Sequence, residues 1–415
     1  MPQPLLGDSP AVIIGGGAAG FFAAIQLADH LPGQKIIILE KSNQVLTKVR
    51  ISGGGRCNVT HACFDPAPLA SHYPRGQKEL LGPFHRWQAS DTVQWFQSRG
   101  VELKTEADGR MFPTTDRSET IASCLEQEAR QQGIEVHTQR EVIHLEPTGD
   151  GSWKVGIAGR DSLRAGACLW AAGGMRSNRV IDLMRTLGHE IVPPVPSLFT
   201  FQIKDPLIDG LQGVSLEEAR ASLPWLNLVC EGPILITHWG LSGPAILRLS
   251  SWGAREIHEQ QGSFDCEINW IPKIRQPQEA LMQHARKQAK KQLATAIPFD
   301  FPKRLWVRML QRCSLCPEQP WGQVSRKAQT DLILNLTQCR LSVHGKSRNK
   351  EEFVTCGGVD LREVDFRTME SRKAPGLYFA GEALHIDAET GGFNFQAAWT
   401  TGTLAGRAMA AGLSR

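Results

Sequence analysis

The order of apolar and polar positions along the chain predicts buried strands that alternate with helices at both ends. Residues 11–14 (AVII) and 35–40 (KIIILE) are short apolar runs typical of parallel strands buried on both faces. An alanine-rich helical pattern lies between them, and further strand-like runs occur at 167–170 and 376–380. This alternation predicts an α/β fold with a parallel sheet.

The pattern changes between about residues 192 and 352. The segments LFTFQI, GPILITHWG and SFDCEINW alternate like antiparallel strands of a small sheet or barrel. Residues 279–313 are typical of two helices broken at Pro298 and Pro302. We therefore predict a first domain part at 1–191, an inserted domain at 192–352 and a C-terminal domain part at 353–415. The insertion would comprise a β-subdomain, about 192–275 and 325–352, and a helical subdomain, about 276–324.

Composition places the chain among globular proteins. It has 415 residues, 41% of them hydrophobic and 21% charged, and no apolar run approaches the roughly 20 residues that span a bilayer. The first residues, MPQPLLGDSP, lack the basic start of a signal peptide. The ten cysteines follow no disulfide or metal-ligand spacing, because Cys313-x-x-Cys316 has no second pair. We expect reduced thiols, a cytoplasmic location and no metal site.

A glycine motif follows the first strand. Gly15, Gly17 and Gly20 have the spacing G-x-G-x-x-G, which permits a tight turn, close approach of a pyrophosphate and close helix–strand packing. Glu40 ends the second strand 20 residues after Gly20, where an acidic side chain can bind a ribose hydroxyl. Either feature alone could be an ordinary turn or a surface glutamate. Together they predict a Rossmann-like dinucleotide-binding domain.

The C-terminal region indicates FAD rather than NAD. Gly381 and Glu382 follow the last predicted strand, and a helix is predicted to open at Phe393 after two glycines, 391–392. The positive end of that helix could stabilise negative charge on a reduced flavin ring. The run Ala171-Ala172-Gly173-Gly174 after another strand is either a second backbone approach to the cofactor or a simple turn.

Five motifs together resemble one known family. GGGAAG, SGGGRCNVT, THWGLSGPAIL, GGVDLREVDFRTMES and GLYFAGEALHIDAETGGFNFQAAW are similar to those of the BaiN-like flavoproteins, also called the YhiN or RdsA type, from residue 12 to about residue 402. The resemblance implies a two-dinucleotide-binding-type FAD domain interrupted by an insertion, with NAD(P)H-linked or oxidase-type redox chemistry. After Gly174 this chain departs from the family, with a shorter loop that begins MRSNR.

The resemblance also implies that the run 53–58 wraps FAD near the pyrophosphate and the flavin. Glycine amides would approach the phosphates, Arg56 would add a charged hydrogen bond and Asn58 would address the flavin. Cys57 is either a small filler or a thiol that donates a proton. The cofactor contacts predicted from motifs and resemblance are Gly15, Gly17, Ala18, Ala19, Gly20, Glu40, Lys41, Gly53, Gly54, Gly55, Arg56, Cys57, Asn58, Val142, Ala172, Gly173, Gly174, Gly381, Glu382, Gly392, Phe393, Asn394, Phe395 and Gln396.

The segment THWGLSGPAIL, residues 237–247, joins a strand to a helix. We expect Ser242 to cap a helix that starts near Pro244, rather than to act in catalysis. His238 is either a packing residue beside a tryptophan or an acid or substrate contact.

The helical part of the insertion is strongly basic. Residues 281–312 carry a net charge of +7, which leaves the rest of the chain at −3, and Trp306 lies among the cations. Such a run can be a solvated face, but its single sign also suggests a polyanion such as ribosomal RNA. The candidate RNA contacts are Arg286, Lys287, Lys290, Lys291, Lys303, Arg304, Arg308 and Arg312.

The function expected from these features is an FAD-dependent oxidoreductase. No second G-x-G-x-x-G follows a strand, so an NAD(P)H donor would bind transiently over the flavin or be replaced by another donor. The resemblance implies three substrate classes: a uracil ring in ribosomal RNA, a steroid enone or a small amine such as aminoacetone. An RNA-binding protein that uses FAD without turnover is a further alternative.

Overall fold

The computed structural model describes residues 9–261, 263–346 and 354–414. These residues form two compact units, 9–195 with 354–414 and 196–346. We call the first the dinucleotide unit and the second the barrel unit.

A seven-stranded sheet with the order β19-β20-β21-β10-β1-β2-β6 forms the centre of the dinucleotide unit. The five strands from β21 to β6 are parallel, and β1 is buried along its whole length. The predicted α/β class and parallel sheet are therefore confirmed. The strands of this unit are β1 Ala11–Ile14, β2 Ile36–Leu39, β3 Thr60–His61, β4 Leu103–Thr105, β5 Arg110–Pro113, β6 Glu135–His137, β7 Val142–Pro147, β8 Trp153–Ile157, β9 Leu163–Ala165, β10 Ala167–Trp170, β11 Ile191–Ser197 (its end passes into the barrel unit), β18 Val354–Val359, β19 Val364–Asp365, β20 Glu370–Ser371 and β21 Leu377–Phe379.

Two helices of this unit, the first and the last, pack with their backbones in contact. A Cβ atom added at Gly402 would lie 2.7 Å from the carbonyl oxygen of Ala19, and one at Gly406 would lie 2.3 Å from that of Ala23. Only glycine fits at such distances, so these two positions bring the C-terminal helix against the helix that follows β1. The helices are α1 Ala18–His30, α2 Thr47–Gly55, α3 Pro66–Ala70, α4 Gln77–Phe84, α5 Ala89–Gln97, α6 Ser118–Gln131, α7 Asn178–Thr186 and α13 Phe393–Leu413.

The segment between α3 and α4 holds the loop that precedes α13. Arg75 forms a salt bridge with Asp387, a carboxylate that is fully buried, and its Nε donates to that carboxylate at 2.6 Å. The hydroxyl of Tyr73 donates to the carbonyl of Phe393 at 2.6 Å. These contacts join residues more than 300 positions apart and fix where α13 begins.

The barrel unit contains a closed six-stranded barrel with the order β12-β15-β14-β13-β16-β17. The alternating segments seen in the sequence form its strands, as their period of two requires. Its strands are β12 Phe201–Ile203, β13 Ser215–Leu223, β14 Leu228–Ile236, β15 Gly240–Ser242, β16 Phe264–Asn269 and β17 Cys339–Lys346. Its helices are α8 Pro244–Trp252, α9 Ala254–Glu259, α10 Pro277–Lys287, α11 Lys303–Arg312 and α12 Arg326–Thr337.

The second basic helix, α11, follows Pro302 as predicted, but the first is shorter than predicted. Helix α10 ends at Lys287, well before Pro298, because the chain then pairs with a later segment through the bridge between Gln292 and Pro320. Helix α8 begins at Pro244 as predicted, but Gly243 is its N-cap. The predicted cap was wrong, since the Ser242 hydroxyl instead accepts from Thr200 at 3.0 Å.

Within the described part of the chain, no helix is both long and apolar enough to cross a membrane.

The buried ion pair between Arg75 and Asp387 should dominate the stability of the loop before α13. Arg75→Met leaves a buried carboxylate without its main charge partner, so the free energy of unfolding should fall by about 3–5 kcal/mol. Adding Asp387→Leu should recover much of that loss, because the buried charge is then removed. Denaturant unfolding measures both.

The control is Arg362→Met, which removes an ion pair with Asp360 whose arginine is 81% exposed. Solvent screens such pairs, so the unfolding midpoint should hardly move. Equal losses for Arg75→Met and Arg362→Met would contradict the importance assigned to the buried pair.

Candidate functional site

The turn from β1 to α1 is built around backbone contacts. A Cβ atom at Gly15 would lie 2.4 Å from the carbonyl oxygen of Ala171, and one at Gly20 would lie 2.0 Å from that of Gly15. A Cβ atom at Gly17 would meet nothing within 4 Å. Two glycines of the motif thus bring protein backbone together, whereas Gly17 leaves open space at the N-terminus of α1, where a phosphate group can bind.

Glu40 holds the same turn from the end of β2. Its carboxylate accepts from the amide of Gly16 at 2.8 Å and from the amide and hydroxyl of Ser42, both at 2.8 Å. A carboxylate has about four acceptor positions, so one remains for a ribose hydroxyl. Glu40 therefore orders the loop in addition to any contact with a cofactor.

The glycine run 53–55 interrupts the helical geometry of α2, because Ser52, Gly53 and Gly54 have non-helical backbone angles and form a turn there. Gly53, Gly54 and Gly55 have φ angles of 57°, 69° and 84°, a left-handed conformation that glycine adopts without strain. Cβ atoms at Gly54 and Gly55 would meet nothing within 4 Å. Successive exposed amides in this conformation can form an anion-binding nest.

Arg56 is paired within the protein. Its guanidinium donates to Glu106 at 2.6 Å, lies 3.6 Å from Asp116 and covers the ring of Phe112 at 4.0 Å. The hydrogen bond to Glu106 raises the pKa of Arg56. The predicted phosphate contact would have to share this cation with two carboxylates.

Cys57 is fully buried and has a φ of 61°. Burial raises the pKa of its thiol to about 12, so the sulfur is protonated at neutral pH. Asn58 bridges two parts of the site: its side-chain oxygen accepts from the amide of Gly392 at 2.9 Å, and its amide donates to the carbonyl of Thr60 at 3.0 Å. These surroundings favour a structural role for Cys57.

Glu382 connects three segments of the dinucleotide unit. Its carboxylate accepts from the amide of Thr355 at 2.8 Å and forms a salt bridge with Lys48. A Cβ atom at Gly174 would lie 2.5 Å from the Thr355 hydroxyl and 3.1 Å from the Glu382 carboxylate. The predicted residues Gly174 and Glu382 are therefore neighbours, as a site shared by distant motifs requires.

The side chains in the first turn of α13 form hydrogen bonds and ring contacts with other residues of the protein. Gln396 is fully buried and accepts from the hydroxyl of Thr60 at 2.6 Å. Asn394 accepts from the amide of Ala388 at 3.0 Å, and Phe395 stacks on the following helical turn. Only the backbone at this helix end is left for a cofactor, and its partial positive charge would favour an anionic ring.

A histidine cluster that no sequence motif marks lies beside the start of α13. His72 stacks on the ring of Phe393 with centroids 4.0 Å apart, and His61 does so at 4.7 Å. His72 also lies 3.3 Å from the buried carboxylate of Glu389. Nε2 of His61 is bonded to the Asp108 carbonyl at 3.0 Å, whereas Nδ1 is buried without a partner among the described residues. The only sequence signal was a histidine three residues after Asn58.

The other predicted cofactor contacts differ in exposure. Ala19 and Val142 are buried, Lys41 and Ala172 are exposed, and Gly173 is half-buried. Ala18 and Ala19 form the first turn of α1, and Gly381 donates its amide to the Thr401 hydroxyl at 2.9 Å.

The remaining predicted residues belong to the barrel unit. His238 is exposed on the turn before β15. Arg304 donates to the Gly210 carbonyl, Arg308 to the Asp209 carbonyl at 3.1 Å, and Arg312 to the Asp205 carboxylate at 2.9 Å. Five candidate RNA contacts are exposed with no side-chain partner among the described residues: Arg286, Lys287, Lys290, Lys291 and Lys303.

The tryptophan that lies among these cations in the sequence is part of the core. Trp306 is fully buried, and its Nε1 donates to the Leu293 carbonyl at 2.8 Å. It belongs to the core beneath α11 and offers no ring to a base.

The geometry of the dinucleotide unit fits FAD. Open space at Gly17 and Gly54, a carboxylate at the end of β2 and the N-terminus of α13 match the parts of an adenine dinucleotide with a distant ring system. The fold and the site define a flavoprotein oxidoreductase with a Rossmann-type FAD domain.

Comparison with protein families agrees with the assignment of a Rossmann-type FAD domain. The family model described as HI0933-like protein Rossmann domain matches residues 9–408. The chain therefore belongs to the HI0933-like flavoprotein family, and the resemblance inferred from its motifs is confirmed.

Two relatives match over nearly their whole length. The chain is 29% identical over 408 residues to a 3-dehydro-bile acid delta(4,6)-reductase of Clostridium scindens, covering 96% of this chain and 98% of that protein. It is also 29% identical over 398 residues to a ribosomal RNA dihydrouridine synthase of Escherichia coli, covering 94% and 95%.

Among solved structures, the 3-ketosteroid-delta4-(5alpha)-dehydrogenase of Rhodococcus jostii RHA1 has a TM-score of 0.52 at 14% identity. The similarity covers 97% of this chain and 96% of that one. At this identity the likeness concerns the fold.

Denaturing the purified protein should release FAD rather than FMN, because the β1–α1 turn and Glu40 suit a pyrophosphate and an adenosine ribose. Glu40→Ala should weaken FAD binding by about 1.5–3 kcal/mol, the usual value for lost charged hydrogen bonds. Titration of the apoprotein with FAD measures the change.

The control is Glu135→Ala on the neighbouring strand, whose carboxylate binds Lys35 and His137 at the surface. Release of FMN, or equal affinity in the two variants, would refute the assignment.

Proposed function

We propose that this protein is an NAD(P)H-linked FAD-dependent reductase that converts uridine in ribosomal RNA to dihydrouridine in the cytoplasm. The observation that carries the proposal is the set of five exposed cations on and near α10 and α11 that have no side-chain partner among the described residues. Unpartnered cations of one sign favour a polyanion. The name of the Escherichia coli relative supports the same substrate.

Reduction of a C=C bond needs a hydride and a proton. Bound FAD supplies the hydride chemistry, and the chain must handle the proton. His61 is a better candidate for that role than Cys57, because its Nδ1 has no partner in the described structure and its ring lies against the first residue of α13. Burial lowers the pKa of His61, so the protonated ring that can donate a proton is the minor form at neutral pH; the charged or titratable neighbours are Asp108, Arg110 and His72.

A steroid enone reductase is the second candidate function, favoured by the name of the Clostridium scindens relative. A steroid carries no phosphates and gives no reason for a run of unpartnered cations. Oxidation of a small amine, a third possibility, would consume oxygen rather than NAD(P)H. Three measurements distinguish these candidate functions: reduction of the flavin by NAD(P)H, reoxidation of the flavin by each substrate or by oxygen, and the salt dependence of RNA binding.

Cys57→Ser should keep FAD and lower turnover only modestly, because a buried thiol of high pKa is replaced by a group of similar size. His61→Asn should also keep FAD and its rate of reduction by NAD(P)H. Its substrate half-reaction should slow by roughly 10²–10⁴-fold, the usual contribution of a general acid. Flavin absorbance gives occupancy, and stopped-flow spectroscopy gives each half-reaction. A collapse confined to the substrate step in Cys57→Ser would reverse the two roles.

Reversing Lys287, Lys290 and Lys291 to Glu tests the RNA proposal. Each phosphate contact contributes about −0.7 to the slope of log affinity against log salt, so the slope for single-stranded RNA should become shallower by about 2. FAD content and NAD(P)H oxidation should not change, because the glycine motif lies in the other unit. Arg308 is left intact, since it holds the turn at Asp209.

The matched control reverses Lys78, Lys154 and Arg160, three exposed cations of the dinucleotide unit. It makes the same change in net charge and should have a much smaller effect on RNA affinity. Mass spectrometry of ribosomal RNA nucleosides should find a dihydrouridine lost with the gene and not restored by the Lys287, Lys290 and Lys291 variant. Weak, salt-independent RNA binding by the wild type would leave the enone reductase as the leading function.

A further inference from the structure

The barrel unit contains a cavity of about 360 Å³ that none of the FAD motifs explains. It lies beside the turn 204–212, the turn that precedes β15 and the helix α11. Its volume falls within the range of small-molecule sites, 300–1,000 Å³. The polar residues that line it are Lys204, Asp205, Asp209, Gln212, Thr237, His238 and Arg308.

Several of these groups already form hydrogen bonds or ion pairs within the protein. The Asp205 carboxylate accepts from Arg312 at 2.9 Å and from the amide of Leu207 at 2.8 Å. Arg308 donates one nitrogen to the Asp209 carbonyl at 3.1 Å, which fixes its guanidinium at the cavity wall. The side chains of Lys204 and His238 have no hydrogen-bond partner among the described residues. The cavity thus offers one anchored guanidinium, one ammonium and one imidazole, together with the carboxylate of Asp209 and that of Asp205, which is paired with Arg312.

An exposed tryptophan lies between two of the cavity residues in the chain, although it does not itself line the cavity. Trp239 follows His238 and precedes Gly240, both of which line the cavity, and its side chain is 54% exposed. The turn is held rigidly: the Trp239 amide donates to the Thr237 hydroxyl at 3.2 Å, and its carbonyl accepts from the amide of Ile203 at 3.0 Å. A Cβ atom at Gly240 would lie 2.2 Å from the carbonyl oxygen of Phe201, so the turn packs directly against β12 and only glycine fits there.

Cations beside an exposed aromatic ring are typical of sites for single-stranded nucleic acid, where phosphates bind the cations and bases stack on the ring. A steroid would need a mostly apolar lining, and this cavity is lined largely by charged and polar groups. We propose that this cavity binds one nucleotide of a single-stranded RNA, with Lys204 and Arg308 at the phosphate and Trp239 stacked on a base. The inference rests on the proposed function and adds a subsite to it.

The experiment is a titration of the full-length holoprotein with an oligouridylate of about 12 nucleotides, a length that covers one such site. Trp239→Ala should weaken binding roughly 5- to 150-fold, the equivalent of one lost base stack, and should leave the salt slope unchanged. The control is Trp225→Ala, which removes another exposed tryptophan of the barrel unit (40% exposed) and should change affinity less than twofold. Lys204→Gln should instead make the salt slope shallower by about 0.7.

The outcomes separate this inference from the function on which it rests. If the wild type binds RNA and the Trp239 and Trp225 variants bind equally well, the subsite is wrong and the RNA function stands. Preference for duplex over single-stranded RNA would also overturn it, because paired bases cannot stack on the indole. If the wild type does not bind RNA at all, both proposals fail. The thermal unfolding midpoint of each variant should match that of the wild type, because both indoles are exposed. An unchanged midpoint would show that a loss of RNA affinity comes from the binding site and not from a loss of stability.

Discussion

Contact between backbones at the turn after β1 is the constraint on which the FAD site depends. At Gly15 and Gly20 the nearest backbone atoms leave no room for a methyl group, and at Gly402 the C-terminal helix approaches α1 equally closely. Segments from the two ends of the chain and from the middle therefore meet without intervening side chains. Because the sheet, α1 and α13 are held this closely, the helix ends and amides that can bind a cofactor lie in fixed places.

Polar side chains of the site mainly hold this backbone. Glu40 binds the amide of Gly16, Glu382 binds the amide of Thr355, and Asn58 binds the amide of Gly392. A cofactor that is bound largely by amides and helix dipoles needs such support, since amides position a charge only when their own loops are ordered. The motif residues are thus as much structural as they are ligand contacts.

Local patterns could be predicted from sequence, and long-range partners could not. The strand at 11–14, the turn at Gly15 and the start of α13 at Phe393 each depend on a few neighbouring residues. The pairing of Arg75 with Asp387 joins positions 312 residues apart, and no periodicity signals it. The same holds for His61 and His72, which become neighbours only because α13 places a phenylalanine against both. The burial of Trp306 could not be predicted for a related reason, since charge on a helix does not reveal which face is buried.

Relatives of this chain are named for two unlike substrates, a bile acid and ribosomal RNA. If the cofactor is held by backbone geometry, as we propose, a change of substrate need not alter the FAD site. Substrate choice would then depend on side chains that the cofactor does not use. We propose that in this chain those are the cations on and near α10 and α11, and they are of two kinds. Arg304, Arg308 and Arg312 anchor the turn at 205–210, whereas the lysines from 287 to 291 bind no side chain in the described structure. Contacts within the fold account for the first kind, of which Arg308 also lines the cavity beside α11, whereas a polyanionic substrate would account for the second.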